Sequence, residues 1–306
     1  MQNPIRIAII GLGKIARDQH LPSIGRSEHF EAVLAVDPTP GDDAGIPVFV
    51  SLEEALASGI TFDAAAVCTP PQVRLAICQR LAWAGCALLL EKPTAPSLPE
   101  ACAIARLVRN ACPAVFTAWH SRFAPQMEAA RAWASAHQLA SGSIKWRENP
   151  EKWHPGQDWL WTPGGLGVLD PGINALSIIT ALYPHPWRVA DSTLHYASSA
   201  GTPWAADFIL ANGAATIRAC FEFNTSETEI WSIRLTATNG DTLELSDGGA
   251  AISENGAPTR RAPVAEYDAL YKHFAVLFRE GRSNFDVSPL LIVDSLMKRA
   301  NRVHGE

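Results

Sequence analysis

Short apolar runs and longer amphipathic stretches alternate through the first 120 residues. Ile5–Ile10 is an apolar run, followed by Gly-rich sequence and a helical stretch from Lys14. Phe30–Val36 is the next strand and ends at Asp37. Further strands are expected over residues 62–68, 87–90 and 114–118, with a helix over 72–84 closed by Gly85. Ser51-Leu-Glu-Glu54 and Ser97-Leu-Pro-Glu100 have the form of capping boxes, in which the serine hydroxyl accepts a backbone N–H and the glutamate reaches back. Strands apolar on both faces, separated by helices, predict a parallel sheet covered on both sides. The fold class is therefore α/β, with a doubly wound domain over residues 1–121.

The pattern changes after His120. A helix is predicted over 124–137, a half-buried strand over 143–148, then a loop rich in Trp, Pro and Gly, and a helix over 165–182. Residues 187–253 carry several strands with turn signals at Asn239-Gly and Asp247-Gly-Gly, as in a mostly antiparallel open sheet. This α+β domain runs over 122–306, and its last helix, 288–302, is expected to pack back on the first domain. One sheet face has no helix left to cover it. A sheet with an uncovered apolar face tends to find a partner, so a homodimer through this sheet is expected.

Composition narrows the class of protein. Of 306 residues, 47% are hydrophobic and 18% charged, the profile of a globular chain with a substantial core. A net charge of −6 argues against nucleic acid or an anionic membrane surface as the main partner. No apolar run approaches the ~18 residues of a membrane helix. The six cysteines form no CxxC pair and no metal-ligand spacing. They read as small apolar residues of a cytoplasmic protein, with no metal site.

Chemistry enters first at Gly11-Leu-Gly13-Lys14-Ile15-Ala16, which fits the G-x-G-x-x-A form of the dinucleotide fingerprint. Gly11 permits the tight turn, Gly13 lets the backbone approach a pyrophosphate, and Ala16 allows close helix–strand packing. The phosphates would sit on the helix N-terminus. A carboxylate at the end of the second strand, Asp37, accepts from a ribose 2′-hydroxyl and repels a 2′-phosphate, which favours NAD. NADP use stays open, because Thr39 could still contact a phosphate.

Cys68-Thr69-Pro70-Pro71 and Glu91-Lys92-Pro93, taken with Gly11–Ala16, resemble the glucose–fructose oxidoreductase and inositol dehydrogenase-like family over nearly the whole chain. The segments 13–22, Trp119-His-Ser-Arg122, Trp153-His-Pro-Gly156 and 167–176 are similar to the bacterial aldose 1-dehydrogenases acting on L-arabinose, D-galactose and D-fucose. The resemblance implies a Rossmann domain binding NAD(P), with Thr69, Pro70, Pro71, Glu91 and Lys92 bordering the cofactor. It also implies an aldose as substrate, oxidised at the anomeric carbon to an aldonolactone. It places Lys92 beside the nicotinamide and the reacting hydroxyl. A base for alcohol oxidation must shed its proton near working pH, and burial beside a positive ring favours the neutral amine.

Asp170 and Asn174 lie four apart on one helix face and can reach one ligand. Many relatives carry a histidine at the second position; Asn174 cannot titrate, so that role does not transfer. Asn174 is assigned to substrate orientation, and either Lys92 or Asp170 is the base. Trp146, Trp153, Trp159 and Trp161 fall within sixteen residues, and an indole offers a flat apolar face to a sugar ring. By resemblance Glu148, Trp153 and His154 line the sugar site, with His120 and Trp231 as additions. His20 and His137 read as solvated or helix-face residues. Two other readings fit the same fold: a non-catalytic sugar- or dinucleotide-sensing regulator, and a dehydrogenase of another sugar or a cyclitol.

Overall fold

The computed structural model describes residues 3–39, 41, 44–162, 164–197 and 201–305. The chain forms two compact units, Met1–His120 with Glu266–Val287, and Ser121–Ala265 with Ser288–Glu306.

In the first unit β1 (Ile5–Ile10), β2 (Phe30–Val36), β3 (Val48–Phe49), β4 (Ala64–Val67), β5 (Ala87–Glu91) and β6 (Val115–Ala118) form one parallel sheet, ordered β3-β2-β1-β4-β5-β6. Every residue of β4, β5 and β6 is buried, which is why these strands read as unbroken apolar runs. A π-helical turn, Ala16–His20, leads into α1 (Leu21–Gly25); α2 (Leu52–Ala57), α3 (Arg74–Trp83) and α4 (Leu98–Val108) follow. Ser51 Oγ accepts the Glu54 N–H at 3.2 Å and Ser97 Oγ the Glu100 N–H at 3.5 Å, so both expected N-caps form. The strand order reverses between β1 and β4, and a doubly wound sheet offers its ligand crevice beyond the carboxyl ends of two such strands. Gly11 follows the end of β1, and Cys68 and Thr69 follow that of β4.

The second unit begins with α5 (Met127–Ala136), β7 (Leu139–Glu148), α6 (Pro150–Trp153) and α7 (Leu169–Leu182). The strands β8 (Arg188–Tyr196), β9 (Pro203–Asn212), β10 (Ala215–Phe223), β11 (Ile230–Ala237), β12 (Thr242–Ser246), β13 (Ala251–Glu254) and β14 (Arg260–Arg261) come next. Residues 198–200, inside the expected strand region, lie outside the described residues. The chain then returns to the first unit as α8 (Glu266–Glu280), which buries Tyr267, Leu270, Tyr271 and Phe274 at helical spacing. Phe274 stacks on Phe30 at 5.6 Å between ring centroids. Last come α9 (Ser288–Arg299) and the edge strand β15 (Asn301–His304).

The sheet order is β14-β13-β12-β11-β7-β10-β9-β8-β15, antiparallel except for the pairs β7/β10 and β8/β15. One expectation needs correction here. The helix expected over 288–302 is α9, and it packs on α7 and β8 inside the second unit; α8 is the helix that joins the first. The open sheet face is also not apolar. It carries Ser143, Lys145, Arg218, Arg234 and Asp207, with ion pairs Arg147–Glu222 and Arg234–Glu244 both at 2.9 Å. Trp204 and Val303 are exposed hydrophobes on the same face.

α7 is buried on nearly all sides, as expected of a helix apolar around its circumference. It lies so close to the sheet that a Cβ on Gly172 would come 2.2 Å from the Phe221 ring. Gly172→Ala gains about 1 kcal/mol of helix propensity. Forcing a methyl group into a packed ring costs about 1–3 kcal/mol, and Phe221 is fully buried with nowhere to yield. The expected net result is a lower melting temperature in thermal denaturation; an unchanged or raised value would contradict the close packing.

Candidate active site

The nucleotide loop is built where β1 ends. Gly11 has φ +96°, and a Cβ there would meet the Thr69 backbone nitrogen at 2.9 Å, so only glycine lets the loops after β1 and β4 touch. Around Gly13 a Cβ would find nothing within 4 Å, which is the open approach a pyrophosphate needs. Lys14 is exposed and paired with Asp18 one turn on, and Ile15 is half-buried. Asp37 Oδ2 accepts the Leu12 N–H at 2.7 Å and Oδ1 the Thr39 N–H at 2.9 Å. Its carboxylate thus ties together the loops after β1 and β2.

Thr69 Oγ1 is buried with no hydrogen-bond partner, a group that a bound ligand would satisfy. Pro71 opens a short helical turn, Pro71–Val73, before α3. The buried guanidinium of Arg74 ties these loops together: it donates to the Thr69 carbonyl through Nε at 2.9 Å, and also to the carbonyls of Glu91 and Pro93. Nothing in the sequence marks Arg74 for this work.

Lys92 follows β5, half-buried. Its backbone N–H donates to Glu91 Oε2 at 2.8 Å. The other oxygen of Glu91, Oε1, receives the Tyr267 hydroxyl at 2.7 Å and faces His20 Nε2 at 3.0 Å. His20 Nδ1 lies 2.7 Å from the Tyr271 hydroxyl. Expected as a cofactor residue, Glu91 has its carboxylate turned into this buried cluster beneath Lys92. His20, expected on a solvated or helix face, is fully buried. His137 does cap a helix end, with Nδ1 2.8 Å from the Trp133 carbonyl.

Charge explains how these groups tolerate burial. Burial opposes the His20 imidazolium, but Cys68, Tyr271 and Glu91 outweigh it and hold its pKa well above the usual 6.5. Burial likewise opposes the Glu91 carboxylate. Hydrogen bonds from His20 and Tyr267, with the charges of His20 and His120, hold its pKa down at about 2. The Glu91 contribution to stability is therefore complete above pH 4.5 and is lost as pH falls through about 2; that of His20 is lost as pH rises through its raised pKa. Glu91→Gln should accordingly flatten the fall in melting temperature between pH 4.5 and 2, while an unchanged slope would contradict the pairing.

His120 is also in the first unit, with Nδ1 2.5 Å from Glu266 Oε2 and its ring stacked on Tyr267 at 5.5 Å. Sequence reasoning missed Glu266, Tyr267 and Tyr271, although their helical spacing with Leu270 and Phe274 is a legible signal.

The second unit gathers most of the residues expected to read a substrate. Glu148, the last residue of β7, lies 2.7 Å from His154 Nε2, and Gln157 Oε1 is 3.1 Å from His154 Nδ1. Asn149 caps α6 by accepting the Glu151 N–H at 3.0 Å, which sets Trp153 at the helix end. Glu229 then fixes that end, accepting from Trp153 Nε1 and from Lys152 at 2.7 Å. Trp153 meets Trp231 edge-on at 5.6 Å.

Trp146 and Trp231 are direct register partners across β7 and β11. The buried indole nitrogens of both, and the buried Asn174 Oδ1, have no hydrogen-bond partner. Leaving a buried polar group unpaired costs about 1–3 kcal/mol, and a polar ligand is one way to satisfy it. Asp170 is buried and shares its helix face with Asn174, opposite the Gly172 contact on the sheet.

A Rossmann sheet with a glycine turn after β1 and an acidic residue after β2 is the framework of a dinucleotide-binding protein. The chain belongs to the Gfo/Idh/MocA oxidoreductase family: residues 5–117 match its NAD-binding Rossmann fold. It therefore binds NAD(P), and the open space at Gly13 and the unpaired Thr69 Oγ1 fit that group. Over 305 residues, 99% of this chain and 98% of the relative, it is 40% identical to galactose 1-dehydrogenase of Pseudomonas fluorescens. The crystal structure of a D-galactose-1-dehydrogenase protein from Rhizobium etli superposes with a TM-score of 0.92 at 35% identity, covering 100% of this chain and 98% of that one. KijD10, a 3-ketoreductase from Actinomadura kijaniata solved with TDP-benzene and NADP, shares the fold at TM-score 0.82 and 16% identity, covering 99% of this chain and 100% of that one.

Proposed function

We propose that the chain is a sugar 1-dehydrogenase that oxidises L-arabinose, D-galactose and D-fucose at the anomeric carbon to the aldonolactone, with NAD preferred and NADP accepted. The observation that carries this reading is the 40% identity to a galactose 1-dehydrogenase along almost the entire chain. In it the first unit holds the dinucleotide and the second reads the sugar. Gly11, Gly13, Lys14 and Ile15 receive the phosphates, Asp37 the adenosine ribose, and Thr69, Pro70, Pro71 and Lys92 border the nicotinamide end. Glu148 and His154 bond sugar hydroxyls, and Trp153 and Trp231 supply apolar surface for the C–H face. Asn174 Oδ1 accepts from a hydroxyl of the bound sugar, which satisfies the atom left unpaired without it. The bound cofactor supplies the hydride acceptor. Lys92 takes the proton of the anomeric hydroxyl, with Asp170 as its partner or its replacement in that role. His120, whose Nδ1 is held by Glu266, is a further residue of the sugar site.

The test is turnover of D-galactose with NAD in the presence of hydroxylamine, which traps a lactone as its hydroxamate. One hydroxamate per reduced nicotinamide is expected. Sugar binding by calorimetry without reduction would instead make the chain a sensor. Preferred turnover of myo-inositol, which has no anomeric carbon and yields no lactone, would make it a cyclitol dehydrogenase.

A further inference from the structure

Within the first unit, Glu91 divides its two oxygens between two tasks. Oε1 is held by the Tyr267 hydroxyl at 2.7 Å and by His20 Nε2 at 3.0 Å. Oε2 receives the Lys92 backbone N–H at 2.8 Å. Tyr271, 2.7 Å from Nδ1, fixes the other side of the imidazole, and the His20 ring sits edge-on to both tyrosine rings at 5.0 and 5.8 Å. Cys68, at the end of β4, faces the same imidazole, and His120 stacks behind Tyr267. The cluster is closed to solvent: His20, Glu91, Tyr267 and Tyr271 are all buried. A group so enclosed does not meet substrate. It can set the direction in which the backbone leaves β5, and with it the direction of the Lys92 side chain.

The geometry points to His20 as a positioning residue for Lys92, acting through Glu91, with Tyr267 and Tyr271 as its supports. The inference rests on the reading of Lys92 as the group at the reacting centre. Glu91 and Tyr271, 71 and 251 positions from His20 in sequence, thus serve one backbone bond together with it. A carboxylate clamped at one oxygen by two donors cannot swing, so its second oxygen is a fixed acceptor for the Lys92 N–H. Losing the imidazole donor leaves Oε1 held by Tyr267 alone and lets the carboxylate turn. A displacement of about 1 Å at a catalytic group can cost about 10²-fold in rate.

The test compares His20→Asn with His20→Gln in the full chain. A glutamine amide can place its nitrogen where Nε2 donates to Glu91, whereas an asparagine amide reaches only toward the Nδ1 position. His20→Asn should lower kcat by up to about 10²-fold with NAD affinity little changed, and His20→Gln should recover part of the loss. Tyr267→Phe, which keeps the ring and removes one donor to Oε1, should give the same split at smaller size if His20→Asn does not fold. On a Lys92→Met background the His20→Asn loss should disappear, since the two residues act as one unit. Hydrogen exchange gives a readout independent of turnover: the Lys92 amide should exchange faster in His20→Asn while the Leu89 amide inside β5 does not. Equal kcat for His20→Asn and the original protein, an undiminished loss on the Lys92→Met background, or unchanged Lys92 exchange would each overturn the assignment. Near-normal kcat for Lys92→Met alone overturns instead the reading of Lys92, and the exchange comparison then decides the positioning by itself.

Discussion

Lys92→Met should lower kcat by about 10²–10⁴-fold while leaving NAD affinity within a few-fold of the original. The substitution keeps a long apolar stem and removes only the amine, so packing around residue 92 changes little. The backbone there is held independently of the side chain, by the bond from the Lys92 N–H to Glu91 and by the Arg74 contacts to the carbonyls on either side. Loss of activity would therefore report the amine and not a collapsed loop. Asp170→Asn is the necessary companion, because a buried carboxylate on α7 is the rival base. Rate constants for both variants, beside NAD binding by fluorescence titration, separate the cases. If Lys92→Met keeps near-normal kcat and Asp170→Asn is inactive, the base is Asp170.

Asp37→Ser should swing the ratio of kcat/KM for NAD to that for NADP by about 10-fold to 100-fold toward NADP. A hydrogen bond from a ribose hydroxyl to a charged group contributes about 1.5–3 kcal/mol, and that preference is lost with the carboxylate. Removing the negative charge also removes repulsion of a 2′-phosphate. Some activity with both cofactors should fall as well, because Asp37 accepts the Leu12 and Thr39 N–H groups and a serine hydroxyl cannot replace both bonds. Adding Pro38→Arg supplies a planar donor for the phosphate and should extend the swing. Steady-state kinetics with both cofactors decide it; an original protein that already prefers NADP would contradict the role given to Asp37.

The parallel sheet was legible because strands buried on both faces leave apolar runs such as Ile5–Ile10 and Ala64–Val67 that no exposed segment imitates. The glycine turn was legible for a steric reason that the Gly11–Thr69 contact makes explicit. Glu148 and His154 came from a resemblance, and their pairing followed; Glu229, which fixes Trp153, lies 76 residues away and has no local signature. The same distance hid the cluster beneath Lys92. An isolated histidine in a helical stretch carries no mark of burial, and His20 becomes intelligible only with Glu91 and Tyr271 beside it.

The return of α8 to the first unit was hidden differently. Its Tyr267, Leu270, Tyr271 and Phe274 stripe shows that a face is buried, but an amphipathic stripe does not say which core it covers. The strand pattern said that one sheet face is uncovered, but not which side chains that face carries. Lys145, Arg147, Arg218 and Arg234 sit at the alternate positions and make that face polar.

The central claim is that the second unit reads a galacto-configured aldose hydroxyl by hydroxyl. It is tested most directly by kcat/KM for D-galactose against its C4 epimer D-glucose, with NAD, following reduced nicotinamide. A site that pairs each hydroxyl leaves one buried partner unsatisfied by the epimer, at a cost of about 1–3 kcal/mol or about 5-fold to 150-fold in kcat/KM. L-Arabinose and D-fucose, which share the configuration at carbons 2 to 4, should stay close to D-galactose. Comparable kcat/KM for D-glucose and D-galactose would contradict the account.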